Sequence, residues 1–163
     1  RAASLADTDD NAADLSAGAP TPVNAAGETS GGGQEPEEPG PTEPGTVRIH
    51  DIQGTTRVSP LDGTAVTGVP GIVTGVRTTG SRGFWIQDTA PDDDARTSEG
   101  LFVYTGSAAP AVKAGDSVLV SGKVAEYYPG TGTQSITQLT APRTTVLSSG
   151  NALPAPVVLD SRS

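Results

Sequence analysis

The sequence predicts a small all-β domain, a five-stranded Greek-key barrel, behind a disordered acidic tail. Three observations carry that expectation. Val, Thr and Ile recur while 21 Gly and 14 Pro punctuate the 163 residues, a balance that favours strands joined by many turns. From Val47 onward the apolar residues come in short runs, each closed by Gly, Pro or Asp. No stretch sustains the 3.6-residue period of an amphipathic helix.

The first strand is expected over Ala65–Thr78, AVTGVPGIVTGVRT. Its Gly68, Pro70, Gly71 and Gly75 suit a long strand that bends or bulges to serve both ends of a barrel. The second is Gly83–Gln87 (GFWIQ), the third Gly100–Thr105 (GLFVYT) and the fourth Ser117–Tyr127 (SVLVSGKVAEY), launched by the Ala114-Gly115-Asp116 turn. The fifth is Gln134–Thr140, with a further extended piece at Thr144–Leu147. A sandwich of this size needs about seven strands, more than the sequence offers. Ser107–Ala114 has length for about two helical turns, and Pro110 breaks it. Alternation places Phe84 with Ile86, Leu101 with Val103, and Val118 with Val120 and Val124 on inward faces. Trp85, Phe102 and Tyr104 are left for the outer face.

Residues 1–45 hold Leu5, Leu15 and Val23 as their large apolar side chains, too few to offset the entropy of ordering the chain. The stretch Gly31–Gly45, GGGQEPEEPGPTEPG, is expected to be an extended linker. The domain proper spans 46–160, and 161–163 begin a further linker. Nine of the 19 acids sit in residues 1–45 beside Arg1 alone, leaving ten acids against nine cations in the rest. The net charge of −9 therefore belongs to the tail and says little about what the folded part binds.

Cysteine is absent, which excludes disulfides, thiolate nucleophiles and cysteine metal sites. No apolar run is long enough for a signal peptide or a membrane span. The chain does not begin with Met and is expected to be an excised segment, any export signal lying upstream.

In order along the chain stand IHDIQG (Ile49–Gly54), SPLDG (Ser59–Gly63), GIVTGV (Gly71–Val76), GFWIQD (Gly83–Asp88), SEGLFVYTG (Ser98–Gly106) and AGDSVLVSGKVAEY (Ala114–Tyr127). This ordered set resembles the OB-type module of large secreted bacterial nucleases and covers about two-thirds of the chain. The resemblance implies an OB-fold-like barrel, a monomer, an extracellular or cell-surface location, and a catalytic domain of the endonuclease/exonuclease/phosphatase class after Ser163 that the module contacts. The divalent metal of the parent's chemistry would belong to that domain. SLADTDDNAADLSAGAPTP (Ser4–Pro22) resembles the end of a lamin-tail domain, which assigns residues 1–23 to such a remnant.

The module itself offers no catalytic set. Its one histidine, His50, stands beside Asp51 and is expected to be structural or exposed. A nucleophile elbow, a P-loop and a dinucleotide fingerprint are all missing. One loop, Gln87–Gly100, offers Asp88, Asp92, Asp93, Asp94, Ser98 and Glu99, hard oxygen ligands that suit Ca²⁺, with Asp88, Asp92, Asp94 and Glu99 the candidate set. The plainer reading of that loop is a solvated turn.

Nucleic acid is the expected partner, held weakly as single- or double-stranded DNA. OB barrels bind single strands across their second and third strands. Trp85, Phe102 and Tyr104 offer stacking platforms there, with Gln87, Arg77, Arg82 and Arg96 close in sequence and Tyr127 at the fourth strand's end. Against this, the domain is not basic, and binding to phosphates depends on cations. Two other functions stay open: a structural spacer in another exported hydrolase such as a phosphatase or esterase, and a calcium- or carbohydrate-binding adhesion module.

Overall fold

The computed structural model describes residues 40–156. The expectations for the tail up to residue 39, the lamin-tail remnant and the linker at 161–163 lie outside the described residues. The fold is all-β with one short helix. The elements are α1 (Ile49–Gln53), β1 (Ala65–Arg77), β2 (Arg82–Gln87), β3 (Gly100–Gly106), β4 (Ser117–Tyr127) and β5 (Ile136–Ser148).

Five strands pair in the order β1-β2-β3-β5-β4, and β4 pairs back onto β1, so the ring of pairings closes. All joints are antiparallel except β3–β5, a parallel seam of two residue pairs, Phe102 with Gln138 and Val103 with Leu139. The β1 ladder shifts register between Val66 and Val69 against β4, and between Val73 and Gly75 against β2. These irregularities fall in the Gly- and Pro-rich stretch, where a bulge lets one strand serve two neighbours. The predicted inward set fills the ring: Phe84, Ile86, Leu101, Val103, Val118, Val120 and Val124 are fully buried in one cluster.

The structure corrects two expectations. The two extended pieces after Gln134 are one strand, β5, paired with β4 from Tyr127↔Ile136 to Ser117↔Ser148. Pro142 interrupts the ladder without ending it. The register shifts between Ser121 and Lys123, and Ala141 takes a φ of 48° at the irregularity. A bulge accommodates a residue that has no N–H to donate.

The second correction is α1, which is too short to leave a helical period in the sequence. The Asp51 carboxylate caps it by accepting the Arg48 N–H at 2.8 Å. Gly54 ends it at a φ of +62°; a Cβ there would meet Pro60 Cδ at 2.6 Å. Ile49 and Ile52, three apart and so on one helix face, are fully buried in the core cluster. The loop that follows is pinned by Ser59. Its hydroxyl donates to the Ile52 carbonyl and accepts the Leu61 N–H at 3.1 Å. Its own N–H donates to Glu126 Oε1 at 2.8 Å.

The end of the predicted linker lies on the strands. The Gly45 N–H donates to the Gly68 carbonyl at 2.8 Å, and Gly40 lies against the Thr145 side chain. Thr145 is the ladder partner of Leu119, whose neighbours Val118 and Val120 face the core and which is itself fully buried. Among the described residues no helix connects β3 to β4, as Pro110 foretold.

Candidate functional site

Alternation along β2 and β3 sends Trp85, Phe102 and Tyr104 outward, opposite Phe84, Ile86, Leu101 and Val103. Trp85 and Phe102 are direct cross-strand partners, with ring centroids 4.9 Å apart and planes tilted by 46°. The glycines beside them leave room. Gly75 faces Trp85 across the β1–β2 ladder. Gly83 lies under Phe102, where a Cβ would meet Phe102 Cζ at 2.5 Å and overlap the Val103 carbonyl.

These rings floor a groove of about 290 Å³. Arg77 and Ser81 flank it from the β1–β2 turn, and Tyr104, Tyr127, Ile136 and Gln138 complete the lining. Trp85 is 41% exposed and Tyr127 47%, so both are open to solvent. A second depression of about 350 Å³ shares Trp85, Phe102 and Ile136 with the first and runs to Arg57, Gln53 and Ser135. Among the described residues no carboxylate lines either one. Each depression is thus lined by one arginine, Arg77 or Arg57, and the two share the Trp85 and Phe102 rings.

Five residues expected at this site do converge there: Trp85, Phe102, Tyr104, Arg77 and Tyr127. Three do not. Arg82 ties the β1–β2 turn, donating to the Thr78 carbonyl at 3.1 Å and to the Ser107 carbonyl. Arg96 forms a fork on Asp94 at 2.9 and 2.6 Å. Gln87 borders a separate cavity of about 400 Å³ beside Asp88, Glu99 and the Leu153–Pro154 segment. Ile136, Gln138 and Arg57 are additions from β5 and the α1–β1 loop.

Four of the five acids in the β2–β3 loop divide into pairs with different work. Asp92 Oδ1 accepts the Asp94 N–H at 3.0 Å and the Thr97 hydroxyl at 2.8 Å, shaping the loop. The Arg96 side chain, and then its backbone N–H, hold the Asp94 carboxyl down at about 2. Asp88 and Glu99 instead meet at the loop's base, where the Asp88 N–H donates to the Glu99 carbonyl at 2.9 Å. Asp88 is buried and takes Arg48 as a bidentate partner, with Nε on Oδ2 at 2.8 Å. His50 Nδ1 lies 3.5 Å from Glu99 Oε2. His50 therefore has a carboxylate neighbour from the far side of the β2–β3 loop, which no local pattern announces.

The fold and site define an all-β unit with an aromatic groove. No family model, curated protein or solved structure matches the chain.

Proposed function

We propose that residues 46–160 are an OB-fold module that holds a short single strand of nucleic acid, weakly, as the non-catalytic accessory domain of a secreted nuclease. The observation that carries the binding role is the groove itself: Trp85, Phe102, Tyr104 and Tyr127 with Arg77 and Arg57, and no carboxylate among the described residues of the lining. Stacking accepts any base because every base has a π-face, and the arginines match phosphates. The strand order and the parallel β3–β5 joint support the Greek-key barrel. The ordered motifs support the nuclease parent, whose catalytic domain this unit would orient and supply with substrate. Among the described residues the groove's lining holds neither histidine nor carboxylate, which favours binding over acid–base chemistry.

The test is anisotropy of a labelled single-stranded oligonucleotide at low salt. Two arginine–phosphate contacts give a slope of log K against log salt of about −1.4. Trp85→Ala removes one stacking platform and weakens binding about 5- to 150-fold, while Arg96→Ala, on the β2–β3 loop outside the groove, leaves it unchanged. Equal binding by Trp85→Ala and the wild type would sink the proposal, as would no binding at low salt.

A further inference from the structure

We propose that His50, Glu99 and Asp88 form a site for a divalent cation of the zinc class. The carrying observation is a pair of atoms, His50 Nδ1 and Glu99 Oε2. Each is sealed from solvent and neither has a hydrogen-bond partner among the described residues, yet they face each other at 3.5 Å. With Nδ1 unprotonated the two atoms are buried acceptors facing one another, which is costly unless something positive, a proton or a metal ion, lies between them. With metal–ligand bonds of about 2.05 Å, that separation subtends about 115–120° at a shared ion, close to a tetrahedral angle. Asp88 completes the set, and one ligand atom from each of the three residues lies within 4.8 Å of the others.

The surroundings fit a metal in further respects. Asp88 Oδ1 already accepts from Ala90 N–H at 2.9 Å and from Arg48, while Oδ2 accepts from Arg48 Nε alone, so a lone pair remains on Oδ2. Glu99 is oriented through its other oxygen, which accepts the Asp92 N–H at 3.0 Å; ligating carboxylates are commonly fixed in this way. Counting Asp51, whose Oδ1 lies 3.9 Å from His50 Nε2, the three carboxylates and Arg48 carry a formal excess of two negative charges, the charge of one divalent ion. A cavity of about 400 Å³ is bordered by two of the three ligands, Asp88 and Glu99. The imidazole selects the ion class, since neutral histidine suits zinc and its transition-metal neighbours, whereas Ca²⁺ takes oxygen ligands.

The test uses the 163-residue chain without a histidine tag, so that His50 is its sole imidazole. Zn²⁺ is titrated by calorimetry and by the imidazole ¹⁵N resonances, and Co²⁺ by visible absorption. The expected result is one ion per chain, a shift centred on Nδ1 rather than Nε2, and at least tenfold weaker binding in Glu99→Gln and His50→Ala. Ca²⁺ leaves the Nδ1 resonance in place. The proposal is overturned if the resonance titrates with pH but ignores Zn²⁺, which would make the pair a proton-bridged ion pair. Binding that survives both substitutions would overturn it too, placing the ion on other carboxylates. The wild-type resonance decides the question even if both variants unfold.

Discussion

Replacing Arg48 with alanine tests how α1 is fastened to the strands. Arg48 precedes α1, and its guanidinium spans to Asp88 at the end of β2. The Asp88 side chain is 1% exposed and that of Arg48 29%, so the substitution leaves a carboxylate in the interior without its cation. Breaking such a pair from one side costs about 3–5 kcal/mol when both groups are deeply buried. Two features reduce this. The Ala90 N–H still donates to Asp88, and water can follow the partly exposed arginine out of its place. The expected loss is about 2–3 kcal/mol, or roughly 6–15 °C in Tm for a folded unit of this size. Urea unfolding in chelator-treated buffer, read by the single tryptophan, measures it, with an unchanged m-value as the check on two-state behaviour. Asp88→Asn closes a double-mutant cycle, whose coupling is expected to exceed about 1 kcal/mol. A loss under about 0.5 kcal/mol with additive single effects would equate the pair with an ordinary surface salt bridge and refute the reasoning.

Gly83→Ala places a methyl against Phe102 Cζ and the Val103 carbonyl. It is expected to cost about 1–3 kcal/mol and to displace Phe102 from Trp85; a wild-type near-ultraviolet dichroism spectrum and midpoint would contradict this. Acid is expected to weaken the fold in part through Asp116, whose carboxyl is held below its ordinary value of 3.8, first by the Lys113 N–H and then by the Ser149 hydroxyl. Because the folded value is the lower one, this stabilisation is complete above the unfolded value and fades as pH falls through the folded one. Urea midpoints of Asp116→Asn should therefore decline less steeply than those of the wild type below about pH 4; parallel curves would remove Asp116 from the account.

The strands were largely legible because alternation and punctuation are local. The sequence reading places β4 at Ser117–Tyr127, the observed bounds, and the inward faces of β2, β3 and β4 follow from period two alone. The continuity of β5 was hidden by Pro142, since whether a proline ends a strand depends on the partner's bulge. The site divides along the same line. Trp85, Phe102 and Tyr104 share a face that alternation reveals, whereas Ile136 and Gln138 reach the groove only through β3–β5 pairing across more than thirty residues. Arg82 and Arg96 are near the groove in sequence, but their guanidiniums are committed to carbonyls and to Asp94. The environment of His50 depends on how α1 docks on the base of the β2–β3 loop, and the sequence carries no local trace of that docking.

The parallel seam has a dynamic consequence. Only Phe102↔Gln138 and Val103↔Leu139 join β3 to β5, whereas β4 and β5 share a ladder running the length of both strands. Amides at the seam are therefore expected to exchange with solvent through smaller openings than those of the long ladder. The aromatic groove straddles this joint, with Trp85, Phe102 and Tyr104 on one bank and Ile136 and Gln138 on the other. An occupant touching both banks acts as a clasp: its binding energy is spent partly on keeping the ring shut, and amide exchange at the seam slows as the groove fills.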